Sequence, residues 1–106
     1  MKLSIGERVT FEKLFPKEAN FTDAVLVMDI RNKVKIVQDE VAKYEIKSEG
    51  NLMSWNDATY AIDVNFTKLE HELLKKSIEK MDRESKIEVS EIFIGLCTKI
   101  KDYKAE

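Results

Sequence analysis

Residues 60–70 read Tyr60-Ala61-Ile62-Asp63-Val64-Asn65-Phe66-Thr67-Lys68-Leu69-Glu70, and the period of the chain changes inside this stretch. From Tyr60 to Phe66 apolar residues alternate with small or polar ones, the two-residue period of a strand with one buried face. Thr67-Lys68-Leu69-Glu70 then has the form of a capping box. In that motif the threonine oxygen accepts from an orphan helical amide and the glutamate reaches back to the cap amide. The spacing predicts a strand at 60–66 and a helix opening at Thr67 and running to about Arg83. Leu69, Leu73, Leu74, Ile78 and Met81 form its apolar stripe, with Lys75, Lys76, Glu79 and Lys80 outside. Strand and long helix follow each other without a linker, which puts the fold in the α+β class.

Upstream, Tyr44–Ser48 alternates, Glu49-Gly50-Asn51 is a turn signal and Leu52–Trp55 is extended in character. With the strand at 60–66 these predict a hairpin plus a third strand in one small antiparallel sheet, about the minimum that supports itself. Downstream, Ser90 caps a last helix with Ile92, Phe93, Leu96, Cys97, Ile100 and Tyr103 on one side. Gly95 costs that helix about 1 kcal/mol relative to alanine, and is read as the mark of a close packing contact. Near the start, Ser4-Ile5-Gly6-Glu7 is another capping box, opening a helix from about residue 5 to Leu14 that Phe15-Pro16 ends. Asn20 or Thr22 caps a second helix carrying Leu26, Ile30 and Val34 on one face. The rival reading of 24–37 is a hairpin turning at Arg31-Asn32. That turn lacks the glycine a two-residue primed turn favours, so the helix is preferred. Gln38–Lys43 reads as a short third helix.

The expectation is therefore one α+β domain over residues 1–106. It has about five helices and a small antiparallel sheet in mid-chain, in a winged-helix-like order. Composition agrees: of 106 residues 43% are hydrophobic and 36% charged, enough for one core under an unusually charged surface. Eighteen Lys+Arg against twenty Asp+Glu leave a net charge of −2, so no global field draws nucleic acid or an anionic membrane. A single cysteine excludes an internal disulfide. The longest apolar run, Ala24–Met28, is far below the ~20 residues of a membrane span, and no apolar segment follows the basic start as in a signal peptide. A soluble, cytoplasmic protein with Cys97 reduced is expected.

Leu3–Val9, Leu14–Phe21 and Glu49–Asn56, with the strand-to-helix junction at Phe66-Thr67, resemble small phage- and prophage-encoded proteins with no assigned activity. The resemblance implies a phage origin, the α+β order and a loop of Leu-Pro-Lys-Glu-Gly-Asn type between the first two helices. Here Ala19 stands where that loop has glycine, and Val37 stands where a Ser or Thr cap is usual. It carries over no functional residue.

Chemistry-bearing residues are sparse. His71 is the sole histidine and has no second ligand at metal spacing, so it reads as an exposed helix residue. Cys97 lies on an apolar stripe and reads as a buried thiol. Gly6, Gly50 and Gly95 are scattered and build no phosphate loop. Acidic pairs such as Asp39-Glu40 have basic neighbours and read as solvated surface. No catalytic residue, cofactor or metal site is expected, and the protein is read as a non-enzyme. Phe21, Phe66 and Phe93 are assigned to the core, and Trp55 reads more readily as a core anchor than as a binding hot spot. Two basic clusters, Arg31/Lys33/Lys35 and Lys75/Lys76/Lys80/Arg83/Lys86, are interleaved with acids, which weakens a phosphate-tracking stripe. The possible interaction surface is Trp55, Tyr60, Lys75, Lys76, Lys80 and Arg83. The function expected is that of a small protein–protein interaction module with an unknown phage or host protein partner and no membrane. Nucleic acid is a lesser possibility, and self-association stays open. The alternatives are a winged-helix DNA-binding regulator and an inhibitor or immunity-type protein acting on a host or toxin enzyme.

Overall fold

The computed structural model describes residues 1–50 and 52–105, so Asn51 of the predicted hairpin turn lies outside the described residues. In chain order the elements are β1 (Lys2–Ser4), α1 (Ile5–Thr10), a 3-10 turn (Phe11–Leu14), α2 (Phe21–Val34) and α3 (Gln38–Lys43). Then come β2 (Lys47–Glu49), β3 (Leu52–Ser54), β4 (Ala61–Asp63), α4 (Lys68–Arg83) and α5 (Glu91–Asp102). The fold is α+β.

The caps read from sequence form. The Glu7 amide donates to Ser4 Oγ at 3.2 Å and the Ser4 amide to Glu7 Oε1 at 3.0 Å. The Glu70 amide likewise donates to Thr67 Oγ1 at 3.2 Å, and the Thr67 amide to Glu70 Oε1 at 2.8 Å. Asn20 caps α2 by accepting from the Asp23 amide at 2.8 Å, and Ser90 caps α5 through the Phe93 amide at 3.2 Å. Residues 24–34 are helical rather than a hairpin. Arg31 and Asn32 continue the helix, and Ile30 and Val34 enter the core.

The expected single three-stranded sheet is corrected. β2 pairs antiparallel with β3, while β4 pairs antiparallel with β1, Leu3 opposite Ile62. The N-terminal strand is hard to read because its three residues run directly into the capping box of α1. It is the better partner for β4 because Leu3 is fully buried, whereas β2 is exposed at every position. The predicted helix 5–14 is also shorter: it tightens into a 3-10 turn at Phe11 and ends at extended Phe15 before Pro16.

The core gathers Leu3 of β1, Phe11 of the 3-10 turn, Ile30 of α2, Phe66 before α4, Leu74 of α4 and Phe93 of α5. Phe11 stacks on Phe66 with centroids 5.8 Å apart. Gly95 is not a close-packing position, since a Cβ there would meet nothing within 4 Å. Gly6 is: a Cβ there would lie 2.6 Å from Ile92 Cδ1 and 3.3 Å from the Trp55 ring.

Helix α3 buries none of its residues. It is held instead by Arg8, whose side chain is 2% exposed. Arg8 Nε donates to the Val34 carbonyl at 2.9 Å and Nη2 to the Lys35 carbonyl at 2.6 Å, which satisfies the C-terminal end of α2. The same guanidinium forks onto Glu40 of α3 at 2.6 and 2.8 Å. Tyr60 donates its hydroxyl to Glu40 Oε2 at 2.5 Å and stacks on Tyr44 with centroids 3.9 Å apart. Arg8, followed by the Tyr60 hydroxyl, holds the Glu40 carboxyl down at about 2, against an ordinary value of 4.5.

Removing Glu40 strands a guanidinium that is 2% exposed, at a cost of about 3–5 kcal/mol. Urea unfolding of Glu40→Ala should show a loss of that size, and Arg8→Met with Glu40→Leu should recover most of it. A loss under about 1 kcal/mol, the surface-pair range, contradicts the clamp. Because the folded carboxyl titrates below the unfolded one, its contribution is full above the unfolded value near 4.5. It is lost as pH falls toward 2, and Glu40→Gln should flatten stability across that window.

Candidate interaction surface

The six residues singled out from sequence do not converge. Trp55 is half-buried and closes over Gly6 and Ile92. Tyr60 is half-buried in the Glu40 network. Both serve packing. Lys75, Lys76, Lys80 and Arg83 all lie on α4, but only Lys76 and Lys80 border a groove.

That groove, about 340 Å³, runs between α2 and α4. Its apolar lining includes Leu26 of α2 and Leu69 and Leu73 of α4, with Lys76 and Lys80 on the α4 wall. Asp23 and Glu18 stand on the opposite side, and Glu72 lies among the lysines. A second cavity, about 410 Å³, lies across the Pro16–Ala19 loop and is lined by Phe15, Pro16, Ala24, Val27, Met28 and Arg31. The loop thus separates two hollows on one side of the molecule.

Several core assignments are corrected here. Phe21 is 84% exposed rather than buried, because it sits on the first turn of α2 opposite the core stripe. Leu69 is 61% exposed, displaced from the inward face of α4 by Glu70 and His71. Ile92 is also exposed, on the flank of α5 beside Gly6.

His71 is buried rather than exposed. Its Nε2 lies 2.6 Å from the Ile100 carbonyl, and its ring meets Tyr103 edge-on with centroids 5.2 Å apart. The histidine therefore ties α4 to the last turn of α5. Cys97 is buried as expected, and burial pushes its thiol up from the ordinary range. Among the described residues no group of His, Cys, Asp or Glu is arranged to hold a metal ion. No described helix is long and apolar enough to cross a membrane.

The first basic cluster is largely tied up. Arg31 is paired bidentately with Glu12 at 2.8 and 3.1 Å. Lys33 donates to buried Glu70 at 2.6 Å and to the Asn65 carbonyl at 3.1 Å.

The outer face of α2 is absent from the surface expected from sequence. Phe21, Val25 and Met28 fall at i, i+4 and i+7 and are all exposed, opposite buried Val27, Ile30 and Val34. The helix is apolar on both sides. A helix of that kind is ordinarily covered on both sides. The signal is present in the spacing, as a second apolar row beside the stripe of Leu26, Ile30 and Val34.

No family model, curated protein or solved structure matches the chain.

The two faces of α2 should separate in thermodynamics. Phe21→Ala should change unfolding stability by no more than about 0.5 kcal/mol, as for an exposed site. Ile30→Ala, by contrast, should cost about 2–5 kcal/mol. A comparable loss at Phe21 would place that ring in the core and overturn the assignment.

Proposed function

We infer that the chain is a small non-enzymatic protein-interaction module, phage- or prophage-derived and cytoplasmic, whose binding face is the α2–α4 side. The observation that carries this reading is exposed Leu69 standing with Leu26 and Leu73 along a groove with an apolar floor. An apolar centre within a charged rim is the usual anatomy of a binding patch. The groove has a sidedness that selects a partner. Lys76 and Lys80 stand on the α4 wall, and no salt bridge ties them among the described residues. The fitting occupant is an apolar segment of another protein carrying carboxylates along the edge that meets those lysines.

The DNA-regulator reading loses support from the ion pairs of Arg31 and Lys33, which take two cations away from any phosphate. The inhibitor reading calls for a large single-sign surface, and the groove mixes Lys76 and Lys80 with Glu18, Asp23 and Glu72.

The test is capture of proteins by the tagged chain in the cells that encode it. A partner retained by wild type and by Lys47→Glu on the remote hairpin should be released by Leu69→Asp and by Lys80→Glu. The reading is wrong if all four forms retain the same proteins or if wild type retains none.

A further inference from the structure

Between Lys35 and Tyr60 no described residue is buried, yet this stretch carries a helix, a hairpin and the sole tryptophan. Buried residues stand on either side of it, at Val34 and Val64. We propose that α3 and the β2–β3 hairpin form a hinged strap that opens as one unit from a core that stays folded, with Glu40 on Arg8 as its latch.

Three observations carry this. The first is how little fastens the segment. Among the described residues, the only hydrogen bonds from residues 36–60 to the rest of the molecule are those of Glu40 with Arg8. Glu40 alone of these residues forms a salt bridge. The other hold is packing: the Trp55 ring sits on Gly6, where a Cβ would come within 3.3 Å of it.

The second is the internal wiring. The Asn56 amide donates to the Tyr44 carbonyl at 2.9 Å, and the Ile46 amide to the Val41 carbonyl at 3.1 Å. The Tyr44–Tyr60 stack and the Tyr60 bond to Glu40 tie the end of the segment to α3. A two-stranded hairpin is marginal by itself in water, so it follows α3 once the latch lets go.

The third is what stays behind. Helix α2 keeps Ile30 and Val34 in the core, and β4 keeps its ladder with β1. The irregular residues 35–37 serve as one hinge and the turn at 58–59 as the other. Arg8 retains the Val34 and Lys35 carbonyls and turns its remaining N–H groups to water. A charge that is stranded when Glu40 is removed from the closed form is therefore solvated in the open one. Segments with little buried apolar area are the ones that open sub-globally. Opening lifts Trp55 off Gly6 and leaves that notch of α1 facing water.

Trypsin cleavage followed site by site tests this, since its rate tracks the population of the open form. Lys43 on α3 and Lys47 on β2 report the strap, and Lys75 and Lys76 report α4. Glu40→Ala should speed cutting at both strap sites about a hundredfold over wild type. Those sites should also be cut about a hundredfold faster than Lys75 and Lys76 of the same molecules. Acrylamide quenching of Trp55 should rise in Glu40→Ala while the helical ellipticity at 222 nm persists. Tyr60→Phe keeps the ring stack but loses the hydroxyl, and should speed cutting at the strap sites about tenfold. An unfolded Glu40→Ala, or α4 cut as fast as the strap, overturns the proposal because the segment is then integral to the core. Faster cutting at Lys43 with Lys47 and Trp55 unchanged overturns it too, because α3 then frays alone. So do strap sites indifferent to both substitutions.

Discussion

The Arg8 fork is the contact on which the arrangement of the central helices depends. A guanidinium 2% exposed cannot remain without partners, and here it finds four acceptors: two carbonyls at the end of α2 and both carboxylate oxygens of Glu40. It thereby does two tasks at once. It closes the C-terminal end of α2, where carbonyls lack intrahelical donors, and it fastens α3, which has no buried side chain of its own. Tyr60 and Tyr44 extend the network to the base of the hairpin. Glu70, a carboxylate that is itself buried, repeats the logic at the other end of the core. It closes the cap of α4 and receives Lys33 from α2. Helix α2 is thus tied by polar contacts near Lys33–Lys35, while its N-terminal turns are held by packing alone.

That asymmetry shapes the functional reading. The clamped end of α2 faces other parts of the same chain. The free end, with Phe21, Val25 and Met28, faces outward beside two cavities on either side of the Pro16–Ala19 loop. A small protein with 36% charged residues does not need three large apolar side chains on one exposed helical row. The groove beside it carries opposed charges, Lys76 and Lys80 on the α4 wall and Glu18 and Asp23 across from them.

Much of the architecture is legible in sequence because local signals are strong where a helix begins. Ser4, Asn20, Thr67 and Ser90 all cap as their spacing implies, and α4 has the bounds its stripe and capping box suggest. What escapes the sequence is non-local. The pairing of Lys2–Ser4 with Ala61–Asp63 spans most of the chain, and no periodicity in a three-residue strand announces it. Buried Arg8, Glu70 and His71 look like surface residues in sequence, since each is buried only because a distant partner meets it. Phenylalanine is commonly buried, but at Phe21 that tendency gives way to angular position on α2. Trp55 and Tyr60, conspicuous in sequence as aromatics near a turn, are both used in packing, Trp55 beside Gly6 and Tyr60 against Tyr44 and Glu40.

The fastening of α3 through the Arg8 fork is the central claim, and amide hydrogen exchange in the native state tests it most directly. The Glu40 and Val41 amides donate to the Val37 carbonyl and the Tyr44 amide to the Glu40 carbonyl, at 2.9–3.2 Å. In Glu40→Ala the amides of Val41 and Tyr44 should lose protection selectively while those of α4 and α5 keep theirs. Unchanged protection of α3 would contradict the claim.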